Sequence, residues 1–177
     1  MNAYAAFLRG VSPLNLKMPV LKAALEAVNF VNVKTLLSSG NVVFQTRLST
    51  ETTVETKVEA ALIDHVGRPF YTIARSVNAL REMVASQPHA AFKPRAEAKL
   101  VVTFLRDKPK QRPVLPLERD GVRLLAMTDR EVFSDYVVGP AGPVFMTLLE
   151  KTFGKNITTR TWDTVAKVVA AGDKFCS

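Results

Sequence analysis

Arg9, Lys17, Ser39, Asn41 and Arg68 are side chains whose types fit one chemistry. Arg offers a planar bidentate fork, Lys a compact charge, and Ser and Asn neutral donors, a set that holds phosphate or carboxylate. Arg160 is a sixth candidate, inside Thr158-Thr159-Arg160-Thr161-Trp162-Asp163-Thr164, where Thr161 can cap a helix and Asp163 suits its first turn. A second concentration of charge lies in residues 93–112. Lys93, Arg95, Lys99, Arg106, Lys108, Lys110 and Arg112 stand there against Glu97 and Asp107, in a chain of net charge +8. Such a stretch attracts nucleic acid or phosphate esters. Lys93, Arg95, Arg106, Lys108, Lys110 and Arg112 form the candidate nucleic-acid patch. The same residues have plainer uses: Arg9 can pair with a carboxylate, Ser39-Gly40-Asn41 can be only a turn, and 93–112 can be a solvated loop.

Positioning these residues falls to a regular series of elements. Tyr4–Leu8 reads as a buried strand. Pro19 opens a helix with Leu21, Ala24, Leu25 and Val28 on one face. Residues 31–37 and 42–46 read as a hairpin around Ser38-Ser39-Gly40-Asn41. A helix over 51–66 carries Val54, Val58, Ala61 and Leu62 and stops at Gly67, and a strand over 70–75 follows. The order β-α-β-β-α-β is the ferredoxin-like arrangement. Its first two strands are parallel, so the loop 9–17, the hairpin 38–41 and the loop 67–69 converge at one sheet edge. Asp64 and His65 are the acid–base candidates nearest that edge.

The second half reads as a helix capped by Ser76, strands at 100–105, 122–127 and 132–138, a Pro-rich loop at 108–116, a turn at 139–143, and helices at 143–153 and 162–171. The expectation is an α+β chain: a ferredoxin-like half over 1–75 and a second, degenerate half over 76–177. Trp162 reads as a packing anchor. His89 follows Pro88 in a loop and lacks a visible catalytic partner.

Several classes are excluded. No phosphate-binding Gly-rich loop, dinucleotide fingerprint or nucleophile elbow occurs. The two histidines have no Cys or His at ligand spacing, so no metal is expected. No cofactor is implied. The third strand, Asn41-Val42-Val43-Phe44-Gln45, lacks the basic-Gly-aromatic run of RNA-recognition sheets. One cysteine, Cys176, cannot form an internal disulfide and fits a reducing cytoplasm. The opening residues lack a leader pattern, and no apolar run is long enough to span a membrane.

Leu8-Arg9-Gly10-Val11, Lys17-Met18, Ser39-Gly40-Asn41-Val42-Val43-Phe44 and Thr158-Thr159-Arg160-x-Trp162-x-Thr164-Val165 together resemble the bacterial domain-of-unknown-function family 1697. The resemblance implies a cytoplasmic α+β protein with ferredoxin-like halves and no established activity. The basic stretch and the Arg9–Lys17 rim favour a binding module for a phosphate-containing anion, a nucleic acid or a nucleotide. The alternatives are a small-molecule enzyme using the Arg9–Asn41 clamp, and a ligand-free interaction or oligomerisation domain.

Overall fold

A computed structural model describes residues 1–139 and 144–175. Most of the turn expected at 139–143 lies outside the described residues, as does Cys176. The chain forms two compact units, one of Met1–Glu82 with the stretch from Val165 onward, the other of Met83–Thr164.

The first unit holds β1 (Asn2–Leu8), α1 (Met18–Ala27), β2 (Val31–Leu36), β3 (Asn41–Thr46), α2 (Glu51–Val66) and β4 (Thr72–Ser76). Its antiparallel sheet has the order β2-β3-β1-β4, so the ferredoxin-like expectation holds. Helix periodicity places Leu21, Ala24 and Leu25 of α1 and Val54, Val58 and Leu62 of α2 against Tyr4, Ala6, Leu8, Val42 and Phe44. Phe30 stacks on Phe44 with centroids 4.5 Å apart. Thr50 Oγ1 accepts from Thr53 N at 3.2 Å to start α2, and Gly67, at φ +78°, ends it in the left-handed region.

One device was not foreseen. Glu51, Glu55 and Glu59, spaced four apart on α2, accept from the backbone N–H groups of Ser76, Ala74 and Thr72 at 3.1, 2.9 and 3.0 Å. Four helical residues rise about 6 Å and two strand residues about 6.6 Å, so the two periods match. The free edge of β4 is thus satisfied by carboxylates rather than by another strand.

The boundary expected at 75/76 is displaced. Ser76 Oγ accepts from Ala79 N at 3.1 Å and starts α3 (Val77–Ser86), whose opening turns stay with the first unit. Most of α5 (Trp162–Asp173) returns to that unit as well. Gly172 makes this possible, since a Cβ there would sit 2.7 Å from Val77 Cγ2. Asp173 then accepts from Arg81 Nε at 2.8 Å.

The second unit holds β5 (Lys99–Leu105), β6 (Leu117–Arg119), β7 (Val122–Met127), β8 (Glu131–Tyr136), α4 (Val144–Phe153) and β9 (Ile157–Thr161). Its sheet runs β6-β7-β8-β5-β9. Without the short β6, this repeats the first sheet, with β5, β7, β8, α4 and β9 in the places of β1, β2, β3, α2 and β4. The second half thus has the strand order of the first, with a Pro-rich loop and β6 where the first unit has α1. Two strands, β6 and β9, were not expected from the sequence. The segment 158–161, read as the run into the last helix, is the edge strand β9.

Candidate functional site

Strand alternation divides the second sheet into two faces. Val101, Val122, Leu124 and Val132 pack with Phe145, Leu148 and Leu149 of α4. Leu100, Arg123, Phe133 and Asp135 are out of phase with them and face the other way. Leu100 and Arg123 both stand opposite Asp135 in register, which makes one row across three strands.

A pocket of about 320 Å³ opens beside this row. Phe92, Leu100, Leu125 and Trp162 supply apolar wall, and Gln87, His89, Lys93, Arg123 and Asp135 supply polar groups. A second cavity of about 420 Å³, lined by Lys99, Thr161 and Asp163, shares Leu100 and Trp162 with the first. Thr161 Oγ1 accepts from Thr164 N at 3.3 Å, the cap expected from the sequence, and so fixes Trp162 at the first turn of α5.

The segment between α3 and β5 is stapled over the sheet. Arg95 pairs with Asp135 and donates to Gly121 O at 2.9 Å. Arg123 donates through Nε to Asp135 Oδ1 at 3.0 Å, through Nη2 to Asp135 Oδ2, and to Lys93 O at 2.9 Å. Burial pushes the Asp135 carboxyl up, but hydrogen bonds from Arg123 and Arg95 outweigh it and hold it below the usual carboxylate value. The same hydrogen bond raises Arg123. Arg95 also pairs with Glu118 at 3.8 Å, so two carboxylates balance the two guanidinium groups, and Lys93 is the further cation on the pocket wall.

His89 is 9% exposed. Its Nε2 lies 3.2 Å from Val101 O and 3.1 Å from Ser134 O. Both partners are carbonyls, so Nε2 carries the proton. The ring meets Phe133 and Trp162 edge-on, with centroids at 5.8 and 5.0 Å. Burial lowers its pKa, outweighing the carbonyl hydrogen bonds and Asp135, which raise it. The imidazole is neutral at pH 7.

The rim foreseen in the first unit also exists as a backbone arrangement. Leu8 N donates to Gly40 O at 2.9 Å and Arg9 N to Tyr71 O at 2.8 Å, which joins the three loop regions. The second unit repeats the pattern, with Leu105 N to Arg130 O at 2.8 Å and Arg106 N to Asn156 O at 3.3 Å. Arg9 is half-buried, while Lys17, Ser39 and Arg68 are exposed. The Arg68 guanidinium lies 4.8 Å over the Phe70 ring. Asn41 is fully buried, and its Nδ2 donates to Leu36 O at 3.2 Å and Ser39 Oγ at 3.0 Å, which closes the hairpin. Asp64 and His65 are exposed on the last turn of α2.

Arg160 belongs to the second unit, not to the rim. It stands on β9 opposite Val102, and its Nη1 donates to Thr158 Oγ1 and Thr159 O at 2.8 Å. Burial lowers its pKa to about 10. The residues of the basic stretch are divided among different partners. Arg95 is committed to Asp135, while Lys108 and Arg112 both pair with Asp129. Arg106 sits at the end of β5, Lys110 is exposed, and Lys93 lines the pocket.

The family described as protein of unknown function (DUF1697) matches residues 1–133. The chain belongs to this DUF1697 family. No curated protein matches it. A conserved bacterial protein, SP0830 from Streptococcus pneumoniae, has the same fold, with a TM-score of 0.71 at 18% identity over 96% of this chain and 98% of that one. The family match spans the whole rim of this DUF1697 chain but only part of the pocket, because Asp135 and Trp162 follow residue 133. Among the described residues no helix is long and apolar enough to cross a membrane, and no three His, Cys, Asp or Glu side chains gather to hold a metal.

Sequence reasoning placed no pocket around His89, Arg123, Asp135 and Trp162. They come from four separate segments, and no local spacing links them. The alternation Arg123, Leu125 on β7 and Phe133, Asp135 on β8 is the one signal that placed charged residues on a sheet face opposite a core.

Proposed function

We propose that this protein is a binding module for a small anionic molecule with a flat ring, of the nucleotide kind, held in the pocket of the second unit. The observation that carries this reading is the pairing of the Trp162 and Phe92 wall with the Lys93 cation in one pocket. The ring is served by stacking and apolar contact, the anion by charge. The pairing of Arg95, Lys108 and Arg112 with internal carboxylates favours a small ligand over a long nucleic acid. A binding role is favoured over catalysis because Asp135 is held ionised between two cations.

Trp162 is the single tryptophan, so its emission reports on the pocket. Mononucleotides are titrated against wild type and Lys93→Ala, with calorimetry alongside. The expected result is a saturable change in emission, with affinity about tenfold weaker in the variant, near 1.4 kcal/mol. Absence of saturable binding at millimolar nucleotide by both methods overturns the reading.

A further inference from the structure

We infer that His89 sets ligand specificity in this pocket, its Nδ1 accepting a hydrogen bond from an N–H on the ligand ring. The inference rests on the ring-binding reading above and adds to it the chemistry that the ring must carry. His89 is nine-tenths buried, lines the pocket and has its proton fixed on Nε2 by Val101 O and Ser134 O. Those two bonds, with Phe133 and Trp162 edge-on to the ring, hold it in one orientation. Nδ1 is left as an acceptor with no hydrogen-bond partner among the described residues. It is also absent from the sealed, unsatisfied side-chain atoms, Arg95 Nε and Ser134 Oγ among them. Nδ1 is therefore open to the pocket, and a site whose fixed acceptor meets a ligand donor there rejects the analogue that lacks one. The ligand class is therefore an anionic heterocycle with a ring N–H, as in uracil or hypoxanthine.

The test uses the monophosphates of uridine and inosine, each beside its ring-methylated partner (N3-methyl and N1-methyl), and the two neutral nucleosides. Histidine ring nitrogens are read by 15N NMR, with His65→Gln to assign the second histidine. The free protein at pH 8 is expected to show the Nε2–H form of His89. The parent compounds are expected to shift Nδ1 and to bind at least about tenfold more tightly than the methylated ones. In His89→Phe, which keeps an aromatic ring, that preference is expected to vanish.

A proton on Nδ1 in the free protein overturns the inference outright, as does failure of every N–H ring to shift Nδ1. Equal binding of parent and methylated nucleotides overturns it while leaving the anion-binding reading intact. A shift of Nδ1 by the nucleosides with no gain from phosphate supports it and overturns the anion reading instead.

Discussion

The imidazole of His89 meets the indole of Trp162 edge-on, with ring centroids 5.0 Å apart and planes at 76°. An imidazolium in that position quenches indole emission, and neutral imidazole does so far less. Burial holds the His89 pKa below its usual 6.5. The ring therefore stays neutral as pH falls past the point where a free histidine charges. Trp162 emission is expected to fall with pH in one step whose midpoint lies below 6.5. His89→Phe is expected to abolish the step. A step centred above 6.5 contradicts the burial argument. Linkage gives the same window: this group's contribution to stability is full above 6.5 and is lost as pH falls towards the lowered value.

Asp135→Asn tests the centre of the staple. Asp135 is 1% exposed and carries both Arg95 and Arg123. Removing its charge leaves the two guanidinium groups with Glu118, 3.8 Å from Arg95, as their carboxylate. Loss of one partner from a buried pair costs 3–5 kcal/mol, but these arginines are partly exposed, so about 2–3 kcal/mol is expected by urea unfolding at pH 7. The carboxyl is held below its usual 3.8. The gap between wild type and variant is therefore full above 3.8 and closes as pH falls through the lowered value. A gap that persists at pH 2 excludes the charge as its cause.

The first unit was legible because its elements are long and periodic, and each ends on a local signal such as Thr50, Gly67 or Ser76. The second half hides the same topology. Its first helix is replaced by the Pro-rich loop and β6, so the β-α-β pattern that identifies the fold is broken. β9 escaped notice because Ile157-Thr158-Thr159-Arg160-Thr161 is short and mostly polar. The rim was legible as topology, through the parallel strands β1 and β2, but the commitment of Asn41 to its own hairpin was not. The pairing within the basic stretch was not legible because its partners, Asp129 and Asp135, lie well along the chain from Lys108 and Arg95. Only the folded sheet brings them together.

Asp129→Asn tests that neutralisation. Lys108 and Arg112 share this carboxylate, and hydrogen bonding and charge from Lys108, with Arg112 adding to both, lower its pKa. Without it the two cations are released to solvent. Non-specific binding to double-stranded DNA is expected to be stronger in the variant than in wild type at low salt. The slope of log affinity against log salt should steepen by about 1–2, since each phosphate contact contributes about 0.9. An unchanged slope means these cations do not reach a phosphate backbone even when freed.

Gly40→Ala tests the junction of the rim. Gly40 has φ +79°, and a Cβ there would sit 2.9 Å from Leu8 Cβ and from Val11 Cγ2. Backbone strain and side-chain overlap act together, so about 2–4 kcal/mol of destabilisation is expected. Gly10→Ala is the control. Its φ is +73°, but no atom lies within 4 Å of the added carbon, so only the strain of about 1 kcal/mol applies. Equal losses in the two variants show that the close approach of Gly40 to Leu8 contributes nothing.

The glutamate stripe on α2 makes the sharpest structural prediction. Glu55 is 2% exposed and accepts from Ala74 N at 2.9 Å. Glu55→Ala leaves that N–H buried without an acceptor, a loss of about 1–3 kcal/mol. Glu55→Gln keeps an acceptor oxygen in nearly the same place and is expected to lose less than half as much. Hydrogen exchange gives the local reading: the Ala74 amide speeds up in Glu55→Ala, while the amide of Val43, inside the sheet, changes only as global stability does. A triple change of Glu51, Glu55 and Glu59 to Ala opens the whole edge of β4. The variant is expected to self-associate through that edge, because unpaired strand N–H groups recruit another strand. A triple variant that stays monomeric at high concentration shows that the carboxylates support the fold without guarding the edge.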